Sequence, residues 1–193
     1  KAQVVCHSKL ACIRYQNGIK SALAERLARE EAKASPDSDL IQRLRFLKTA
    51  VVVSSDGTNE AAYITQARKE AQRMNAVENF CRSFDFEDPD KEYTGIAFLI
   101  VCDMLLTGFD APIEQVMYID KKLREHTLLQ AIARTNRVKK GKQRGYIVDY
   151  IGLANDLTDA LTLYAASDEL QELHDGMKNI ASELPVLEER YQR

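Results

Sequence analysis

The residues best suited to chemistry in this 193-residue chain lie in the run Leu128-Leu129-Gln130-Ala131-Ile132-Ala133-Arg134-Thr135-Asn136-Arg137. On a helix, Gln130, Arg134 and Arg137 fall at i, i+4 and i+7 and share one face. Leu129, Ile132 and Ala133 lie largely elsewhere and are expected to pack against a sheet. Two guanidinium groups one turn apart, with an amide one turn earlier, make a dense donor surface. Crowding like charge there is unfavourable without an anion, and the charge developing on a transferred phosphoryl group is one natural partner. Two plainer readings stand beside it. Thr127 and Gln130 fit a capping box, in which Gln130 closes the helix start. The arginines can equally be surface charges or partners of carboxylates in the acidic C-terminal part.

A second run, Cys102-Asp103-Met104-Leu105-Leu106-Thr107-Gly108-Phe109-Asp110-Ala111-Pro112, directly follows an apolar, strand-like segment. Ligands of open α/β sheets sit beyond the carboxyl ends of strands, so this loop is expected at a ligand site. Gly108 lets the chain turn closely, and the Asp110 carboxylate can accept hydrogen bonds from ribose hydroxyls. An Asx-type turn ahead of Pro112 accounts for the same residues without a ligand.

The elements that must position these side chains are short apolar runs alternating with helical patterns. Val4 to Cys6, Ala50 to Val53, Ile96 to Cys102, Gln115 to Ile119 and Tyr146 to Val148 are rich in Val and Ile and do not alternate. Strands buried on both faces of a parallel sheet have this look. Helices are expected from Lys9 to Lys33 with Ser8 as N-cap, on to about Lys48 after the Ser35-Pro36 break, over 60–84, and after Thr127. Phe84 to Asp90 is expected to be a loop. After Tyr150 the strand signal stops, and Leu153, Leu157 and Leu161 repeat at helical spacing. Strand–helix alternation of this kind implies βαβ units.

Composition is that of an ordinary globular protein, with 45% hydrophobic and 29% charged residues and a net charge of -2. No apolar run approaches the roughly 18–20 residues that cross a bilayer. The chain opens on Lys1-Ala2-Gln3 without Met and without a signal-peptide pattern, which reads as a piece of a longer chain. Cys6, Cys12, Cys81 and Cys102 form no CxxC pair, and His7, His126 and His174 have no ligand-like spacing, so no metal site is expected. Charge is unevenly placed. Residues 121–144 carry nine Lys/Arg against Glu125 alone, and residues 150–193 carry nine Asp/Glu against three basic residues. A basic working surface beside an acidic tail is one reading, a solvated basic loop the other.

Taken together, the two runs resemble motifs V and VI of superfamily 2 helicases and translocases. Gln130 to Arg137 matches Q-x-x-G-R-x-x-R, with Ala133 in place of glycine, and Gly108-Phe109-Asp110 matches the G-x-D core of motif V. The wording from Asp103 to Pro112 and from Leu129 to Arg137 is closely similar to the R (motor) subunit of type I restriction enzymes. Ile147 to Gly152 is similar too, as is Val4 to Ser8 in the position of motif IV. The resemblance covers about residues 1–155.

It implies an α/β fold: a second RecA-like domain of the P-loop NTPase type over 1–152, with a mainly parallel sheet and helices on both faces. A short helical appendage, 153–193, would begin the following helical domain. Arg134 and Arg137 would approach the γ-phosphate of ATP, Gln130 would order the interface or the attacking water, and Gly108 and Asp110 would meet the nucleotide. Ser8, Ser54, Ser55, Cys102 and Asp103 would face the DNA backbone, with phosphate contacts from Lys139, Lys140 and Lys142. Cys102 stands where many helicases have a threonine that touches nucleic acid. Implied partners are double-stranded DNA, the first RecA-like domain of the same polypeptide, and methyltransferase (M) and specificity (S) subunits, in the cytoplasm and without a membrane.

No G-x-x-x-x-G-K-[ST] run and no D-E-x-[DH]-like strand end occurs here. ATP and Mg2+ would therefore be held mainly outside this chain, and the fragment alone is expected to be inert. Two other assignments compete: the equivalent domain of another superfamily 2 translocase, such as a type III restriction or repair enzyme, and a non-catalytic α/β interaction module.

Overall fold

The computed structural model describes residues 1–152 other than 58, 59, 107, 124, 136, 138 and 143, and of 125, 126 and 132 the backbone only. These residues belong to one compact unit, Lys1–Leu153. The appendage expected over 153–193 lies outside them.

Five parallel strands form one sheet: β1 (Ala2–Cys6), β2 (Lys48–Val52), β3 (Ile96–Val101), β4 (Val116–Asp120) and β5 (Tyr146–Asp149). Their spatial order is β2-β3-β1-β4-β5, which puts β1 at the centre. Val4 lies opposite Ile100 on one side and Tyr118 on the other. Side chains alternate across a pleated strand. Val4, Cys6, Val51, Ile100 and Cys102 line one face, packed with Ala11 and Cys12 of α1 (Lys9–Glu31) and with Ile64 and Ala67 of α3 (Ala62–Arg73). On the other face Val5, Leu99, Met117 and Ile119 are each fully buried. Both faces are thus covered, which explains the unbroken apolar runs. Each fully buried aliphatic contributes about 1.5–3 kcal/mol. The RecA-like α/β class expected from the sequence is borne out.

Several boundaries differ from expectation for local reasons. The helix expected over 60–84 is two, because Asn75 takes a left-handed conformation with φ 41° and separates α3 from α4 (Ala76–Cys81). Asparagine tolerates that region better than most residues. A second helix, α2 (Ser38–Phe46), is capped by the Asp37 carboxylate, which accepts from the Leu40 N–H at 3.0 Å. The acidic segment expected as loop is one as far as Asp88 and then tightens into a 3-10 turn, Pro89–Gly95.

Ser8 is the N-cap of α1, its Oγ accepting from the Ala11 N–H at 3.1 Å. Ser8→Ala is expected to cost about 1 kcal/mol. Equilibrium denaturation should show this as a lower midpoint at unchanged slope, and Ser8→Asp should restore it.

α5 (Glu125–Thr135) begins two residues before Thr127. Thr127 is therefore inside the helix, and the capping box with Gln130 does not form. Leu128 and Ala131 are its buried apolar residues among those described, whereas Ala133 is exposed and Leu129 only half-buried, which corrects the packing expected from the sequence. Ile132 falls outside the described side chains.

Candidate functional site

The candidate residues divide between the two edges of the sheet, and the connections explain why. The chain leaves β3 at the carboxyl edge with Cys102 and must reach the start of β4 at the opposite, amino edge. Among the described residues of 102–115 that crossing is made without a helix. Cys102 and Asp103 are therefore left at one edge while Asp110 to Glu114 reach the other. The placement is fixed by contacts. The Cys81 thiol, at the end of α4, reaches the Asp110 carbonyl at 3.5 Å, and the Gln115 N–H donates to the Lys1 carbonyl at 2.9 Å just before β1. Asp110 thus lies not beyond the carboxyl ends of the strands, as expected, but at their amino ends. α5 makes the second crossing. Its eleven residues rise about 16 Å, from the carboxyl end of β4 down to the amino end of β5. The basic run 121–144 is split as a result. Lys121 stays at the carboxyl edge, and Arg134 onward gathers at the amino edge.

At the amino edge Arg134 and Arg137 meet the Gly108–Asp110 turn. Arg134 is 7% exposed, donates to the Leu105 carbonyl at 2.5 Å, and holds its guanidinium 6.0 Å from the centre of the Phe109 ring. Burial lowers its pKa, and Glu114 opposes that shift. Leu105 (φ 66°) and Gly108 (φ 70°) both adopt left-handed backbone, which aims this turn at the arginine. Gly108 does so without the steric penalty that Leu105 carries.

Arg137 lies two residues past the end of α5, its N–H turning back to the Arg134 carbonyl at 3.4 Å. The i+7 position on a continuous helix is therefore not realised. The guanidinium instead extends from a turn and pairs with the Asp110 carboxylate, the two side chains being 50% and 61% exposed. Gln130, one turn before Arg134, is half-buried. Close approach fixes this end of α5: an added Cβ at Gly145, beside the start of β5, would overlap the Thr135 carbonyl oxygen.

Lys139 and Lys142 form a one-bridge turn around Gly141 (φ 85°) with Lys140 exposed at its tip. Lys142 Nζ donates to the carbonyls of Glu114 at 2.5 Å and Pro112 at 3.2 Å. Lys139 and Lys140 accordingly lie with the arginines and not with the serines assigned to DNA.

The carboxyl edge holds the other set. Ser54 and Ser55 are exposed and Ser8 half-exposed. Lys9 Nζ ties β1 to β2 by donating to the Ser54 carbonyl at 2.6 Å, and it pairs with Asp56 at 2.6 Å. Lys121 pairs with Asp103, which lowers the pKa of that carboxylate, and reaches the Cys102 carbonyl at 3.5 Å. Cys102 does not present its thiol to solvent: the residue is 7% exposed, and burial pushes the group up to about 11. Lys9 and Lys121 are cations at this edge that motif reasoning passed over. Their signal was only their place three and one residues past a strand end, respectively.

Comparison with known proteins identifies the family. Residues 29–152 match the family model described as type I restriction enzyme subunit R domain 3. A Methanocaldococcus jannaschii protein named for the endonuclease subunit of the type I restriction enzyme MjaVIIP is 37% identical over 188 residues, 93% of this chain and 15% of the relative. The type I restriction enzyme HindI endonuclease subunit of Haemophilus influenzae is 44% identical over 98 residues, 49% of this chain and 9% of that protein. The chain thus spans a small fraction of the proteins it resembles. With most of its described fold covered by the family model, the chain belongs to the type I restriction enzyme R subunit family, as its domain 3.

Proposed function

We propose that this domain is the C-terminal RecA-like half of the ATP-dependent DNA translocase motor of a type I restriction endonuclease. The observation that carries the reading is the convergence of Arg134, Arg137 and Asp110 at one sheet edge, with Arg137 half-exposed. Two guanidiniums beside one carboxylate suit the γ-phosphate and ribose of ATP. They do not suit Mg2+, because the Asp110 carboxylate is already paired with Arg137. Metal ligands and the phosphate-cradling loop would come from the first RecA-like domain, as the absence of those motifs here requires.

Each residue then has a task set by its surroundings. Arg134, held by Leu105 and Phe109, is fixed in place and supplies a standing positive field. Arg137 is mobile between partners. Its exposed pair with Asp110 is worth about 0–1 kcal/mol, less than a charge-assisted bond to a phosphate oxygen, so ATP draws it off cheaply. Asp110 is released in the same event and becomes free to accept from the ribose. Hydrolysis removes the contact that held Arg137, and the pair re-forms. The serines at the opposite edge, with their backbone N–H groups, would hold DNA phosphates. Closure at one edge would thereby move the grip at the other.

The reading is tested in the assembled enzyme with M and S subunits. ATP consumed per bound DNA is expected to increase with the length of linear duplex beyond the recognition site. Length-independent consumption would favour a non-translocating role. An unaltered ATPase in the absence of this domain would favour an interaction module.

A further inference from the structure

Glu114 is a fully buried carboxylate at the amino edge that the mechanism above leaves unused. It sits two residues before β4, is 0% exposed, and neither carboxylate oxygen has a hydrogen-bond partner. Its backbone is fully engaged, the N–H donating to Ala111 at 2.9 Å and the carbonyl accepting from Lys142 Nζ. The side chain is therefore held in place by its own main chain and not by any bond of its own. An ionised carboxylate in that position is expensive unless cations bear on it. Those cations are Arg134 from α5 and Lys142 from the 139–142 turn. Desolvation outweighs them, and the group is pushed up to about 7. Reciprocally, Glu114 opposes the desolvation of Arg134 and of Lys142.

We infer that Glu114 is a positioning residue for Arg134: it takes up a proton when a phosphate sits beside the fixed Arg134 guanidinium and loses it when the phosphate leaves. The reason is electrostatic. A phosphate on the guanidinium cancels the positive field that keeps Glu114 ionised, and a carboxyl without hydrogen bonds then prefers its neutral form. By linkage, ionised Glu114 must weaken phosphate engagement by the same factor. Nucleotide affinity at this edge accordingly falls as pH rises through neutrality. This inference rests on the proposed role of Arg134.

The test is the pH dependence of ATP hydrolysis by the intact R subunit in its assembled enzyme, for wild type and Glu114→Gln. A displacement of the Glu114 titration by half to one pH unit corresponds to a factor of about 3–10 in affinity. The KM for ATP of wild type is expected to rise by that factor between pH 6 and pH 8 relative to Glu114→Gln, with kcat little changed. Taking the ratio of the two profiles cancels the ionisation of ATP itself. A carboxyl raised from about 4.5 to about 7 by folding is destabilising as pH rises through that window, so the neutral amide is expected to fold at least as well at pH 8. Glu114→Asp, which keeps the acid but moves it, should retain the titration with a displaced midpoint. Superimposable profiles for wild type and either variant overturn the inference. If that happens while substitution of Arg137 still removes turnover, only the role of Glu114 falls; if the arginine substitutions are silent, the underlying reading falls with it.

Discussion

Arg137→Ala in the intact R subunit is expected to lower ATP turnover by about a thousandfold or more, the range reported by removal of an arginine finger. Folding and ATP affinity should be largely retained. The structure separates these effects. Arg137 lies beyond the end of α5, and its only described ion pair is the half-exposed one with Asp110. Losing that pair costs at most about 1 kcal/mol of stability. The same change at Arg134 is different in kind. That guanidinium is buried against Phe109 and the Leu105 carbonyl, so Arg134→Ala removes a structural anchor as well as a charge. Arg137→Lys should rescue little, because a single ammonium cannot reproduce the forked donor. Steady-state kinetics beside a thermal melt reads both halves of the prediction.

Gly145→Ala should damage both stability and turnover, although it adds a single methyl group and removes no functional group. Its Cβ would overlap the Thr135 carbonyl oxygen and stand 2.5 Å from the Thr135 carbonyl carbon and 2.8 Å from its Cβ. The obstacle is largely backbone, which cannot rotate away, so the end of α5 or the start of β5 must shift. Overpacking of this kind costs about 1–3 kcal/mol. The shift also displaces the turn that carries Arg137, and a 1 Å misplacement can cost about a hundredfold in rate. Gly18→Ala is the control. Gly18 lies within α1 with nothing within 4 Å of an added Cβ, so alanine should stabilise by up to about 1 kcal/mol through helix propensity. Opposite signs for one chemical change at two glycines would identify the close approach as the cause.

The parallel sheet was legible in the sequence because its central strands are buried on both faces, which left short apolar runs rich in Val and Ile that do not alternate. Ser8 was legible as a cap because the need for a hydroxyl at a helix start is local. The site was legible as a list of residues but not as an arrangement. Nothing local says that 102–115 crosses from one sheet edge to the other, so the run was read as one loop beyond the carboxyl ends of the strands, and the placement of Asp110 at the amino edge was not legible. The same applies to the basic run 121–144. Its charge suggested a single surface, whereas α5 delivers Lys121 and Lys142 to opposite edges. The end of α5 was misjudged because Arg137 continues the helical spacing. The helix stops at Thr135, where Gly145 packs against it. Glu114 escaped notice altogether, since its burial depends on where Arg134 and Lys142 fold back.

The proposed motor cycle requires Arg137 to exchange Asp110 for a nucleotide. A structure of the intact R subunit with Mg2+ and a hydrolysis-resistant ATP analogue measures this directly. The Arg137 guanidinium should donate to a γ-phosphate oxygen, with the Asp110 carboxylate freed towards the ribose. A bound analogue whose γ-phosphate lies out of reach of Arg137, with the Arg137–Asp110 pair intact, would contradict it.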